Sequence, residues 1–379
     1  MNIVHISLSS TFTENMSYQD NLLSAQNKRD GHSVTVISNC SKFDAGQVIY
    51  AEPEDRVMDN GVRLIRLEYD KVLNSFISGK VRKAKELYSL LNDLKPDVIL
   101  FHGIGWEILN AARYKKEHPS IKFYADSHAD YNNSATNFTS KYFLHKAFYR
   151  SIIKESLPKI DKIFYLSIEC GDFLKLMYHV PQDKMEFYPL GGMIIEGKER
   201  QAKRDKIRNK LKLSDEDILL VHSGKLDNLK RTDDILEALA EVPAEKLHLA
   251  IVGSIPENMK SKLEPLIEKD KRVNFAGWKV ADELIEYLCA ADLYVQPGSQ
   301  SATLQNAICC GCPIMLYPHK SHKPYLRGNG YYVKSKEDMK RVFKEILNHP
   351  NLLRTMSDNS EKIAKELLDY KKLAARLYE

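Results

Sequence analysis

The sequence predicts two doubly wound α/β domains, and three observations carry that prediction. Short apolar runs rich in β-branched residues alternate with longer amphipathic runs along the whole chain, the rhythm of βαβ units and parallel sheets. At 379 residues the chain exceeds what one ordinary core organises, so two domains are expected. The rhythm also restarts: after Gly191-Gly192 a strongly charged segment, Glu196–Lys212, leads into a fresh strand. The boundary is therefore expected near residue 195, giving domains 1–194 and 195–360 with a cleft between the carboxyl ends of their sheets, where doubly wound domains bind ligands.

In the first domain the apolar runs place strands at Ile3–Ser7, Ser33–Ser38, Val62–Leu67, Val98–His102, Lys122–Asp126 and Lys162–Leu166. Helical periodicity covers Ser17–Arg29 and Lys80–Leu94, and Gly31 is placed to cap the first of these in the left-handed conformation. In the second domain strands are expected at Ile218–His222, Leu247–Val252, Val273–Phe275, Leu293–Gln296 and Pro313–Leu316, with helices at Thr232–Ala240, Glu257–Lys269, Asp282–Ala290 and Ser301–Cys309. No short repeat or low-complexity segment interrupts the pattern.

Composition narrows the class. Hydrophobic residues at 43% and charged residues at 28% describe a folded globular chain. No run approaches the ~18 apolar residues that span a bilayer. Met1–Ile6 lacks a basic leader and a cleavage site, so it reads as a first strand rather than a signal peptide. Six cysteines form no regular framework. Cys309, Cys310 and Cys312 read as small buried residues at a helix end, since a metal site would need a second pair of ligands. Reduced thiols fit a cytoplasmic protein, in which the sequons at Asn132 and Asn137 carry no meaning. Net charge is +5, and the basic residues form no continuous stripe, which disfavours nucleic acid. Lys141–Arg150 mixes basic and aromatic residues at helical spacing. Two readings stand: an interfacial helix at the inner face of a membrane, or an ordinary amphipathic helix with a core face of Phe143, Ala147 and Phe148.

Two loops could carry chemistry. The first, His222–Thr232, follows a strand and opens a helix: Gly224 permits a tight turn, Lys225 and Lys230 bracket it, and Thr232 is placed to cap the helix. A strand end, a glycine, two cations and a helix start compose an anion site, with a solvated basic loop as the bland alternative. The second, Gln296–Ala307, lies likewise between strand and helix. Ser299 and Ser301 can cap, the amides of Gln300, Ala302 and Thr303 can face phosphate oxygens, and Gln305 and Asn306 can bond a polyhydroxyl ligand. Ordinary capping is the alternative. Neither loop is a Walker loop or a dinucleotide fingerprint.

With these loops the chain resembles glycosyltransferase family four, whose members have the GT-B architecture of two Rossmann-like domains and make retaining transfers from nucleotide sugars. The matching residues are Gly224-Lys225, Lys230-Arg231, Val252-Gly253, Phe275-Ala276-Gly277, Ala291–Val295, Ala307–Pro313 and Gly31-His32-Ser33-Val34. The resemblance implies an acceptor-binding N-terminal domain and a C-terminal domain that binds the nucleotide-diphosphate sugar. It further implies a last helix, about 361–379, crossing back so that Tyr370 and Leu373 pack on the first domain. Lys225, Lys230 and His128 become candidate catalytic residues, with His102-Gly103 as the rival to His128. Gly224, Arg231, Gly253, Trp278, Ser299, Gln300, Ser301, Ala302, Thr303, Gln305 and Asn306 become donor contacts, with Trp278 either beside the nucleobase or in the core. The acceptor, a saccharide or lipid-linked saccharide in cell-envelope polysaccharide synthesis, would meet loops such as Asn133–Thr139.

The departures from the family are specific. The usual pair of glutamates is absent, with Gly298 near the first position and Asn306 at the second. The N-terminal glycine pair is also missing, with Asn15-Met16-Ser17 in its neighbourhood. No convincing Asp-x-Asp metal motif stands out, so no metal or cofactor is expected, and lysines with a helix N-terminus would stabilise the departing diphosphate. The rivals are a sugar-nucleotide 2-epimerase, which needs carboxylates facing the sugar, and a non-catalytic nucleotide-sugar-binding protein.

Overall fold

The computed structural model describes residues 1–14, 16, 18–44, 47–72, 75–84 and 86–378. Asn15 and Ser17, where the family's glycine pair is missing, lie outside the described residues. The chain divides into two compact units: unit 1 is Met1–Pro189 with Tyr370–Glu379, and unit 2 is Leu190–Asp369.

Unit 1 contains β1 (Asn2–Ser7), β2 (Ser33–Asn39), β3 (Ser41–Asp44), β4 (Gln47–Tyr50), β5 (Glu54–Val57), β6 (Arg63–Leu67), β7 (Val98–Phe101), β8 (Lys122–Ser127), β9 (Lys162–Tyr165) and β10 (Met185–Phe187). Its main sheet runs in the order β10-β9-β8-β7-β1-β2-β6-β5, while β3 and β4 form a separate hairpin. Every pair in the main sheet is parallel except β5 on β6. The chain steps outward from β1 in both directions, so β1 and β7 flank the switch point. Ile3, Val4, Ile6 and the whole of β7 are buried, as expected where helices cover both faces of a parallel sheet. The helix Gln19–Arg29 ends as the sequence anticipates. Gly31 takes φ +88°, while the Gly31 and His32 amides donate to the carbonyls of Lys28 and Asn27, closing the helix by a Schellman motif. The helix expected over Lys80–Leu94 is instead two, Ser75–Val81 and Leu87–Leu94.

The chain returns to unit 1 at Tyr370, later than the expected 361. Residues 351–368 stay with unit 2, where Arg200 pairs with Glu361 at 2.6 Å and the Ser360 hydroxyl donates to the Cys312 carbonyl at 2.6 Å. The returning helix Tyr370–Ala375 buries Tyr370, Leu373 and Ala374 against Leu23, Val98, Leu100, Phe164 and Tyr188. The Tyr188 hydroxyl donates to the Leu373 carbonyl at 2.5 Å.

Unit 2 contains β11 (Ile218–Lys225), β12 (Leu247–Ser254), β13 (Val273–Gly277), β14 (Leu293–Gln296), β15 (Ile314–Leu316) and β16 (Gly330–Tyr332). They form one parallel sheet in the order β13-β12-β11-β14-β15-β16. The unit begins at Leu190, five residues before the expected boundary. Gly192 belongs to it, its amide donating to the Leu368 carbonyl at 2.9 Å. The charged segment is a helix, Gly197–Leu211, whose Arg204 and Arg208 grip Asp292 at the start of β14. All six cysteines are buried, and the Cys312 thiol donates to the Leu288 carbonyl. Among the described residues no helix is long and apolar enough to cross a membrane.

The core-face reading of one unit 1 segment holds only in part, since of its three residues Phe148 alone packs against the core. The segment Ser140–Tyr149 is a π-helix running into the α-helix Arg150–Ser156. Its wider turn rotates the face: His145 and Tyr149 are buried, whereas Phe143, expected in the core, is 65% exposed, and Ala147 is exposed as well.

Candidate active site

In unit 2 the site begins where two strands end together. Gly224 pairs with Gly253, and Lys225 with Ser254. A Cβ on Gly253 would overlap the Gly224 carbonyl oxygen, so strand packing by itself requires a glycine here. Gly224 has φ +126°, and a Cβ there would stand 3.3 Å from Lys230 Cε. The strand runs three residues beyond the expected His222, and the turn follows it: a 3-10 turn, Asn228–Lys230, closed by Arg231 in the left-handed conformation.

That turn folds Lys230 back over Gly224. The residue is only 8% exposed, and burial lowers its ammonium pKa against the weaker pull of Asp227. The Lys230 ammonium lies 3.5 Å from the Gln300 carbonyl oxygen and forms no ion pair among the described residues. A desolvated cation without a counter-charge is costly, and the arrangement is complementary to an anion. Lys225 differs: it is exposed, and its ammonium meets no partner among the described residues. The expectation that both lysines converge on one turn holds for Lys230 alone.

The neighbours of Lys230 take other roles than expected. The Arg231 guanidinium pairs with Asp234 at 2.7 Å and donates to the carbonyls of Pro297 (3.3 Å) and Lys334 (3.0 Å). Its donors are occupied by these partners, so it braces the two loops. Thr232 opens the helix Thr232–Ala240 but caps nothing. Its hydroxyl bonds His222 Nε2 at 3.0 Å, and His222 Nδ1 donates to the Val295 carbonyl at 2.7 Å. Burial pushes His222 down to about 4.

The second loop lies directly on the first. The Ser299 amide donates to the Leu229 carbonyl at 2.8 Å, and a Cβ on Gly298 would overlap that same oxygen and stand 2.8 Å from the Lys230 carbonyl carbon. The position where the family carries its first glutamate therefore has no room for any side chain. Gln296 Nε2 donates to the Ser299 carbonyl at 2.9 Å, and His319 Nε2 bonds the Gly298 carbonyl at 3.1 Å. The helix expected from Ser301 starts at Thr303 and is seven residues long. Ser301 Oγ accepts from the Thr303 amide at 3.4 Å and lies 3.2 Å from the Thr303 hydroxyl. The amides of Gln300, Ser301 and Ala302 meet no acceptor among the described residues. Gln305 is buried with its Oε1 unpartnered, whereas Asn306 turns its Oδ1 toward Gly192. Trp278, at the end of edge strand β13, is 71% exposed, which excludes the core-packing alternative.

Two residues of this loop system escaped the sequence reading. Tyr294, fully buried, sets its hydroxyl 3.2 Å from Ser223 Oγ and beside the hydroxyls of Ser301 and Thr303. His319 supports Gly298. The only available signal was their place beside strand ends. A cavity of about 720 Å³ opens in unit 2 at the opposite, amino ends of the strands, lined by Arg200, Arg204, Asp217 and Asp292 among others. Of its arginines, Arg200 pairs with Glu361 and Arg204 with Asp292.

In unit 1 the strand ends carry a buried polar chain. His102, following β7, uses Nδ1 to bond Asp126 Oδ2 at 2.6 Å and Nε2 to meet His5 Nδ1 at 3.0 Å, and His5 Nε2 reaches Asn27 Oδ1 at 2.8 Å. The other Asp126 oxygen accepts the Gly103 amide at 2.8 Å and faces His128 Nε2 at 3.4 Å. Burial alone would raise the Asp126 carboxyl, but the two histidines outweigh it and hold it well below the usual carboxylate range. For His102, the charge and hydrogen bond of Asp126 likewise outweigh burial and raise it, while burial and then His102 push His5 down to about 3. The two rival histidines thus meet on one carboxylate: His102 is buried with both nitrogens engaged, and the His128 side chain is 53% exposed.

Residues 203–363 match the family described as Glycosyl transferases group 1. An uncharacterized glycosyltransferase, MJ1069, of Methanocaldococcus jannaschii is 26% identical over 242 residues, 61% of this chain and 59% of that protein. The lipopolysaccharide glucosyltransferase WaaG of Escherichia coli is 27% identical over 199 residues, 51% of this chain and 52% of that protein. The chain thus spans between half and three-fifths of the length of these curated relatives. Among solved structures, Anabaena Alr3699/HepE in complex with UDP matches 99% of this chain and 98% of its own at TM-score 0.66 and 12% identity. The fold is GT-B, with two Rossmann-like units. Over residues 203–363 the chain is similar to the group 1 glycosyltransferases.

Proposed function

We propose that this chain is a retaining glycosyltransferase that moves a hexosyl unit from a nucleotide-diphosphate sugar to a saccharide or lipid-linked acceptor, without a metal. The observation that carries the reading is Lys230: a buried ammonium lacking a carboxylate partner among the described residues, beside the unpaired amides of Gln300, Ser301 and Ala302. In the reaction the bond from the anomeric carbon to the diphosphate oxygen breaks and the acceptor oxygen bonds to that carbon. The hydroxyl proton passes to the departing phosphate or to water. Negative charge grows on the diphosphate, and a preorganised cation in a desolvated pocket stabilises it more in the transition state than in the ground state. His128, exposed and held by Asp126, is proposed as the second catalytic group. Lys225, exposed at the strand end, is proposed only to attract the anion.

A role at the cytoplasmic face of a membrane, in cell-envelope polysaccharide synthesis, is part of the proposal. Its supports are the name of the WaaG relative and the exposed rings of Phe138, Tyr142 and Phe143 beside Lys141 and Lys146, a pattern suited to an anionic interface. One observation favours a second reading, nucleotide-sugar binding without transfer: Gly298 cannot be replaced by the family's glutamate, so Ser299 and Gln300 would have to meet the sugar instead. An epimerase is disfavoured, because the Asp126 carboxylate is spent on two histidines.

The test is a thermal-shift screen of nucleoside diphosphates, UDP first, followed by transfer assays with the cognate donor sugar. Lys230→Ala is expected to lower transfer at least ~100-fold with an unchanged melting profile in the absence of ligand. Turnover close to wild type in that variant would refute the proposal, and binding without turnover across many acceptors would favour the second reading.

A further inference from the structure

We infer that unit 1 carries a subsite for a phosphate-bearing acceptor, in the cavity bordered by Lys80, Arg82 and His128. The inference deepens the proposed transfer by naming the acceptor's chemistry, and rests on that reading for the word acceptor. The cavity has a volume of about 410 Å³, room for a monosaccharide phosphate. It opens beside the carboxyl ends of β7 and β8, where Gly103, Ser127 and His128 border it, and its far wall includes Ser140, His145 and Tyr149 of the π-helix.

The charge of the lining is one-sided. Lys80 and Arg82 supply it, beside the imidazoles of His128 and His145, and no aspartate or glutamate lines the cavity among the described residues. Asp126 lies behind the wall and is neutralised by His102. Arg82 is the sharpest feature. It sits at φ +55°, half-buried, with Nε donating to the Gly79 carbonyl at 3.1 Å and one terminal nitrogen to the Ser9 carbonyl. Those carbonyls orient the guanidinium without neutralising it, and it forms no ion pair among the described residues. Its second terminal nitrogen has no acceptor among them. The charge of Lys80, after burial, also lowers His145, which places that ammonium close to the same wall. Sugar hydroxyls donate as well as accept, so a lining of cations without carboxylates discriminates for an acceptor-only group, and a planar guanidinium matches phosphate oxygens best. The hydroxyls of Thr136 and Ser140 remain for a sugar ring.

The phosphate could belong to a soluble sugar phosphate or to a lipid headgroup, and two arms of one experiment separate these sources. The full chain, without nucleotide, is titrated with glucose 6-phosphate and with glucose by calorimetry. In parallel it is co-sedimented with phosphatidylglycerol vesicles and with phosphatidylcholine vesicles. We expect glucose 6-phosphate to bind at least tenfold more tightly than glucose, or phosphatidylglycerol vesicles to be selected over phosphatidylcholine. In whichever arm responds, Arg82→Gln should lower binding at least tenfold and Arg82→Lys should restore most of it. UDP binding, measured on the same samples, should not change in these variants. Equal binding of glucose and glucose 6-phosphate, no binding in either arm, or an Arg82→Gln chain that binds as wild type would overturn the inference. Loss of UDP binding by the wild-type chain with phosphate selectivity intact would instead sink the donor site and leave this subsite standing.

Discussion

The carboxyl ends of the two sheets solve the same electrostatic problem in opposite ways. Unit 2 buries a cation at Lys230 and gives it no ion pair among the described residues, while unit 1 buries an anion at Asp126 and surrounds it with His102, His128 and the Gly103 amide. A compensated buried charge holds a structure in one arrangement, and an uncompensated one stores a demand for a ligand. Unit 2 is therefore built to bind a charge. Unit 1 uses its buried charge to hold an exposed imidazole in place.

The largest effect should follow from breaking the compensation in unit 1. Asp126→Asn keeps the shape but removes the charge that raises His102, and should destabilise unit 1 by about 3–5 kcal/mol, read as lost hydrogen-exchange protection along β7 and β8. A loss under about 1 kcal/mol would mean that His102 is neutral and the contrast between the units is wrong. Acid should separate the units next. His222 and His322 of unit 2 both fall from 6.5 to about 4 through burial. Unfolded chains take up those protons near 6.5 and the folded rings only near 4, so the stability is present above 6.5 and lost as pH drops to 4. For His222 alone this is on the order of 3 kcal/mol. In unit 1 the depressed His5, His145 and His32 act in the same direction. The raised His102 acts in the other, contributing below 6.5 and fading as pH rises through its folded value. Protection in β11 and β14 should accordingly fail before that in β1 and β7 between pH 6.5 and 4. The reverse order would remove the distinction.

How much of this was legible in the sequence depends on how local each feature is. Parallel strands buried on both faces are continuous apolar runs, so β1, β7, β12 and β14 could be read within two residues at each end. Hairpin β3–β4 and edge strand β5 could not: Glu54–Val57 is charged and exposed, and only its pairing with β6 makes it a strand. Gly224 and Lys230 were legible because glycine and lysine six residues apart make sense within one loop. Gly298 was not, since its requirement comes from the Leu229 carbonyl, 69 positions earlier, pressing on it. The chain from Asn27 through His5 and His102 to Asp126 draws on four separated segments, and periodicity carries no trace of it. The internal partners of Arg231 were hidden for the same reason. A basic residue beside Lys230 suggests a second anion contact, and its partners Pro297 and Lys334 lie far along the sequence.

Lys230 and Arg231 also give the finer test of which charges in unit 2 await a ligand. Lys230→Met removes a desolvated ammonium, so unit 2 without ligand should gain about 1 kcal/mol of stability, while nucleoside diphosphate affinity falls about 100-fold, near 2.7 kcal/mol. Stability that drops instead would mean that Lys230 is internally satisfied.

Arg231→Gln should do less, and in a different way. Its pair with Asp234 is partly exposed and screened, worth no more than about 1 kcal/mol, and its carbonyl contacts position the loop without touching the anion. The expected result is a stability loss of that size with diphosphate affinity reduced by less than about fivefold. Such a small change fits a brace, because a shifted loop still presents Lys230 to the ligand. A direct contact with the anion would instead move affinity as far as Lys230 does, at unchanged stability, and isothermal titration of the two variants side by side decides between them.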